Sequence, residues 1–138
     1  MKGDLVSEWK GDRAEGASEF LTHTSEVVRL DRGTIVHVSG RARGNDRGRV
    51  DWVEIVPVGA DSGELFEAEY MRIWNYRIQK YDLASGGEML VARSGNGIGR
   101  AQLRFNGPSG DYQIKVGYVD NTGGVAHYKV SVEQPAVE

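Results

Sequence analysis

Glu67 and Glu69 stand two apart in the run Leu65-Phe66-Glu67-Ala68-Glu69. On a strand, that spacing turns both carboxylates to one face and Phe66 and Ala68 to the other. Like charges side by side repel. Either solvent at a sheet edge or a hard cation such as Ca2+, which takes about six to eight oxygen ligands, has to compensate them. Other chemistry finds less to work with. His23, His37 and His127 are isolated, with no His-x-x-x-His or His-Glu-x-x-His spacing to join two ligands on one helical face. His37 and His127 alternate with apolar residues and read as solvent-facing strand positions. No Gly-x-Ser-x-Gly elbow is present, although a Ser/His/Asp triad, whose members meet only in space, stays open. Ser94-Gly95-Asn96-Gly97-Ile98-Gly99 joins two strands instead of opening a helix, and so reads as a flexible loop and not a phosphate cradle. Arg41, Arg43, Arg47 and Arg49 crowd into nine residues. They fit a solvated loop, or bidentate capture of carboxylate or sulfate on an anionic glycan such as alginate or another uronic-acid polymer.

These residues sit on a chain of 138, long enough for a core without staples and short enough for a single domain, 1–138. Nineteen glycines against three prolines, with short Val/Ile/Tyr-rich runs between turn residues, describe an all-β protein. A net charge of −3 argues against nucleic acid or an anionic membrane as partner. Cysteine is absent, which removes thiol catalysis and thiolate metal sites. No apolar run approaches the roughly 18 residues of a membrane span, and the N-terminus lacks a signal-peptide core.

The alternation of Tyr112, Ile114, Val116 and Tyr118 with polar residues predicts a half-buried strand. Ala101, Leu103 and Phe105 predict another, and Asn106–Gly110 a turn that pairs the two as a hairpin. Ala126, Tyr128, Val130 and Val132 extend this to a three-strand meander. Glu26–Leu30 and Thr34–Ser39 predict a second hairpin about Asp31-Arg32-Gly33, and Val50–Val56 a central strand after a basic loop. Glu15–Thr22 has the composition of one or two helical turns. About nine or ten strands at this spacing predict a jelly-roll β-sandwich of two antiparallel sheets.

A set of motifs then follows in order: Glu67-Ala68-Glu69, Ala84-Ser85-Gly86-Gly87, Gly110 through Tyr118, Gly123-Gly124-Val125-Ala126 and Tyr128 through Val132. This succession resembles the carbohydrate-binding modules of families 6, 35 and 36, in which a glutamate-alanine-glutamate strand opens the domain. The segments that resemble the family's later half come first here: Ser7-Glu8-Trp9, Glu26–Ser39 and the closing strand around Asp51-Trp52-Val53-Glu54-Ile55. The resemblance therefore implies a circular permutation, with 1–58 equivalent to the family's C-terminal half and 64–134 to its N-terminal half. Gly59-Ala60-Asp61-Ser62-Gly63 would link the original ends, a short join if those ends lie close together.

The resemblance implies a non-catalytic, secreted module appended to a glycan-degrading enzyme, with a structural Ca2+. Its ligands would be Glu67, Glu69, Asp51 and backbone carbonyls around Ser85 and Gly87. It implies polysaccharide recognition at loops on one end of the sandwich, through Trp9, Trp74, Tyr76, Tyr81, Asp120 and Asn121, with Arg47 and Arg49 approaching the same end. Trp52, inside the closing strand, reads as packing. Similar modules carry an asparagine just before the closing strand, where this chain has Asp46-Arg47-Gly48-Arg49. Two other classes fit the same residues. One is a small jelly-roll lyase or hydrolase using Tyr118, His127 and Arg104; the other is a structural repeat of a surface protein with no sugar site.

Overall fold

The computed structural model describes residues 4–10, 20–41, 48–92, 98–119 and 126–134. Among them are twelve strands: β1 (Asp4–Lys10), β2 (Phe20–Thr24), β3 (Val28–Leu30), β4 (Ile35–Arg41), β5 (Arg49–Pro57), β6 (Glu64–Glu67), β7 (Arg72–Trp74), β8 (Tyr76–Lys80), β9 (Glu88–Ala92), β10 (Ile98–Arg104), β11 (Gly110–Val119) and β12 (His127–Glu133). The helical backbone among the described residues is confined to two 3-10 turns, Ala68–Tyr70 and Ser85–Gly87. Of the stretch expected to turn helically, Phe20–Thr24 is a strand and 15–19 lie outside the described residues.

The protein is an all-β sandwich of two antiparallel sheets, as expected. Sheet A runs β1-β12-β4-β10-β7, and sheet B runs β2-β11-β5-β9-β8, with β3 also pairing β11 and β6 also pairing β5. Alternation decides which side chains turn inward. Val36 and Val38, Ala101 and Leu103, and Tyr128, Val130 and Val132 cover the inner face of sheet A, opposite Val53, Ile55, Ile114 and Val116 of sheet B.

The expected hairpins are corrected by this topology. β10 and β11 do not pair: β10 lies between β4 and β7 in sheet A, while β11 lies between β2 and β5 in sheet B, and β12 returns to sheet A. β3 and β4 are likewise in opposite sheets. Alternation identifies a strand with one buried face, but it is the same whichever sheet supplies that face. Turns such as 105–109 span the roughly 10 Å between sheets instead of reversing within one.

Two devices hold the sides of the sandwich. On one, Trp9 of β1 stacks on His23 of β2 with centroids 3.8 Å apart, and Ser7 Oγ lies 2.7 Å from His23 Nε2. On the other, a single residue carries the chain from β7 in sheet A to β8 in sheet B. That residue is Asn75, at a φ of 56°, a left-handed conformation asparagine tolerates, with its side-chain amide donating to the Ile98 carbonyl at 2.9 Å. The chain then delivers Tyr76 into the core, 2% exposed, where its hydroxyl donates to the Gly48 carbonyl at 2.9 Å.

Tyr76 lies so close over β10 that a Cβ on Gly99 would come within 2.3 Å of its ring. Gly117 has a similar neighbour, with a Cβ there 2.2 Å from the Trp52 ring, but Trp52 is only half-buried and faces outward from β5. The first ring is locked by packing and the second can swing away. Gly99→Ala should therefore cost about 1–3 kcal/mol, the usual range for overpacking, and Gly117→Ala clearly less. Urea denaturation of the two variants checks this; equal losses would contradict it.

Candidate metal centre

β5 shares one of its edges between two partners. β6 covers Trp52 through Ile55, and β9 takes over at Val50. Asp51 falls at the changeover and is also skipped on the other edge, where Gly117 faces Trp52 and Tyr118 faces Val50. A bulge of this kind re-aims a side chain. Here it accompanies an aspartate only 3% exposed.

The two glutamates arrive differently from expectation. β6 ends at Glu67, and Glu69 belongs to the 3-10 turn that follows, so the pair does not share a strand face. Ala68, fully buried, lets the turn pack against the core. The turn still gathers the acids: one oxygen from each of Asp51, Glu67 and Glu69 lies within 4.8 Å of the other two.

The Ser85–Gly87 turn contributes hydrogen bonds to this cluster. The Ser85 N–H donates to Asp51 Oδ2 at 3.0 Å and its hydroxyl to Glu67 Oε1 at 2.6 Å. Gly86 sits at a φ of 68°, and a Cβ there would lie 3.0 Å from Glu69 Oε2 and 3.3 Å from Glu67 Oε2. Glycine suits both the backbone and the space. Ser85, expected to contribute its carbonyl, also meets the carboxylates as a donor through its N–H and hydroxyl, and the Gly87 carbonyl accepts the Tyr81 N–H at 2.9 Å.

These bonds leave Asp51 Oδ1, Glu67 Oε2 and both Glu69 oxygens buried with no hydrogen-bond partner. Such a set is costly, at about 1–3 kcal/mol for each unsatisfied group and more where it is charged. The residues thus fit a hard divalent cation, which Asp51, Glu67 and Glu69 would hold through those orphaned oxygens. Without one, protons have to serve. Burial pushes the Asp51 carboxyl up to about 6, the Ser85 N–H partly opposing and the Glu67 charge adding to the rise. Burial also raises Glu69, the nearby N–H of its own backbone partly opposing and the charges of Glu67, Asp51 and Glu88 adding to the rise. Glu88 drew no notice in the sequence because it lies outside the glutamate pair.

Among the described residues, the expected sugar-binding side chains are not gathered at one end. Trp9 turns inward, its ring near-parallel to Tyr128 as well as His23 and its indole nitrogen buried. Tyr76 is in the core, which corrects its expected role: no ring face reaches solvent. Tyr81 is half-buried, stacked on Phe20 beside Met89 and Val91. Trp74 alone of these aromatics is exposed, at 43%, on the outward face of sheet A beneath the Arg72 guanidinium. Arg49 is half-buried in β5, whereas Arg47, Asp120 and Asn121 lie outside the described residues. The lyase constellation is also not assembled. Tyr118 packs inward from sheet B against Trp9 and Tyr128, and His127 faces outward from sheet A.

Comparison with protein-family models, with curated proteins and with solved structures returned no match.

The raised carboxyls fix the sign of a pH effect. A group that binds its proton more tightly when folded stabilises fully below its unfolded value, 3.8 for Asp51, and that contribution is lost as pH rises through about 6. At about 1.4 kcal/mol per tenfold change in proton affinity, the loss from Asp51 is of order 3 kcal/mol. The melting temperature of chelator-treated protein should fall between about pH 4 and about pH 7. Glu69→Gln should raise it at neutral pH by a few degrees, about 1 kcal/mol, while abolishing any gain from added calcium. Calorimetry with and without chelator reads both.

Proposed function

We propose that the protein is a non-catalytic carbohydrate-binding module with a structural calcium ion, binding a polysaccharide and keeping an attached glycan-degrading enzyme near its substrate. The observation that carries this reading is the junction of β5, β6 and the Ser85–Gly87 turn, where three carboxylates from two segments, β5 and the end of β6 with its following turn, share one buried site with unpartnered oxygens. The segments that form it are those whose order resembles the binding modules of families 6, 35 and 36. Calcium bound there supplies charge compensation and ties the two segments together. No chemistry on a substrate is asked of it.

The same reading includes the permutation, and two pairings support it. β5 and β6, which the permutation would join, form an antiparallel pair with Ile55 facing Glu64. β12 and β1, which it would separate, also pair, with Val132 facing Asp4. Either connection could be a short reversal, so opening one and closing the other leaves the strands where they are.

Calcium at about a hundred times its dissociation constant should add roughly 2.7 kcal/mol of stability, seen as a rise in melting temperature that chelation reverses. Affinity electrophoresis on gels containing neutral and acidic polysaccharides should show retardation on at least one. Unsaturated uronides after incubation with alginate would instead identify a lyase. Retardation on none would favour a structural repeat.

A further inference from the structure

We propose that the ligand surface of this module is the outward face of sheet A, and that its ligand is an anionic polysaccharide, recognised through carboxylate or sulfate groups by Arg41, Arg100 and Lys129. The proposal rests on the binding-module reading and adds to it the place and the class of ligand.

The strand register sets these residues side by side. Lys129 of β12 faces Ser39 of β4, Ser39 faces Arg100 of β10, and Arg100 faces Trp74 of β7, giving one row across four adjacent strands. The neighbouring row pairs His127 with Arg41 and Arg41 with Ile98. Arg41 and Arg100 are thus diagonal cross-strand neighbours, about 7–8 Å apart, a separation that lets two guanidinium groups take successive anionic groups of one chain. The rows enclose a recess of about 370 Å³, whose lining also includes Glu8.

The charge on this face is unbalanced. Lys10, Arg41, Arg72, Arg100, Arg104 and Lys129 point outward from sheet A against Glu8 and Glu133, a surplus of four positive charges on a chain whose net charge is −3. Among the described residues no carboxylate lies within 4.0 Å of Arg41 or Arg100. Lys129 reaches Glu8 only at 4.0 Å, with both side chains more than half exposed, a pair that costs little to open. With no competing carboxylate among the described residues, the two planar guanidinium groups of Arg41 and Arg100 are available for bidentate bonds to carboxylate or sulfate. Trp74 ends the same row, its ring 5.1 Å from the Arg72 guanidinium, and offers a flat apolar surface beside the cations. A strand of nucleic acid is held by successive stacking aromatics along its path; among the described outward positions of the sheet Trp74 is the only Trp, Tyr or Phe.

The test uses the whole chain with calcium present. Retardation is compared on alginate and polygalacturonate for carboxylate, dextran sulfate for sulfate, a neutral β-glucan, and single-stranded DNA in solution. Binding to a carboxylated or sulfated polymer, weakened by salt and lowered roughly tenfold or more by Arg100→Ala or Arg41→Ala, supports the proposal, and the arm that responds names the anionic group. Arg77→Ala, on β8 of sheet B, should leave it unchanged, and the calcium-dependent melting temperature of each variant confirms folding. Binding to the neutral glucan alone, or binding that ignores both arginine substitutions, overturns the proposal while leaving the module reading in place. Equal affinity for single-stranded DNA at the same salt also overturns it. Failure to bind any glycan removes both.

Discussion

Repulsion among Asp51, Glu67 and Glu69 is the constraint around which the centre of sheet B is arranged. Their side chains meet because β5 changes partner from β6 to β9 at one residue, and that residue is bulged. A continuous partner along this edge would pair straight through and leave no room for two 3-10 turns. The acids are therefore a consequence of the split edge as much as its occupants. The Ser85 hydrogen bonds use only part of their acceptor capacity, and the remainder is buried. Whatever neutralises that remainder, proton or cation, decides how firmly β6 and the following turn are held to the rest of the sheet.

The sandwich has a second organising feature, in the way its sides are closed. The Trp9–His23 stack joins strands from different sheets through side chains, while Asn75 joins β7 to β8 through the backbone. The backbone crossing places Tyr76 so deeply that glycines at 40 and 99 are required around it. This accounts for two paired glycines within strands, near the ends of β4 and β10, where glycine otherwise weakens pairing. It also explains why a tyrosine that reads as a ligand platform belongs to the core.

Much of this was legible in the sequence, and the limits have physical causes. Alternation gave the inward faces of β4, β10, β11 and β12 correctly, because burial on one side leaves a period of two whatever the partner. It could not give the partner, which depends on whether a turn reverses within a sheet or crosses to the other. The acid cluster was legible in its members and not in its geometry. Glu67 and Glu69 meet through a 3-10 turn, and no spacing rule distinguishes that from two positions on a strand. The aromatics were the least legible. Whether Trp9 or Tyr81 is packed or offered depends on His23 and Phe20, neighbours on another strand. The outward cations were visible as the polar half of each alternation, in Arg100-x-Gln102-x-Arg104 and His127-x-Lys129, but only the cross-strand register brings them together.

The irregular pairing of β1 bears on how copies of the molecule behave toward one another. β1 is the outermost strand of sheet A, and an outer strand offers unpaired backbone groups on which another chain can build. Its register slips between Leu5 and Ser7, which breaks the even ladder that an added strand would need. Asp4, Glu8 and Lys10 set charges along the same short length, all exposed. A strand that is both uneven and charged makes a poor template for edge-to-edge growth, so the sheet is guarded against self-association at the margin where it would otherwise be most open to it.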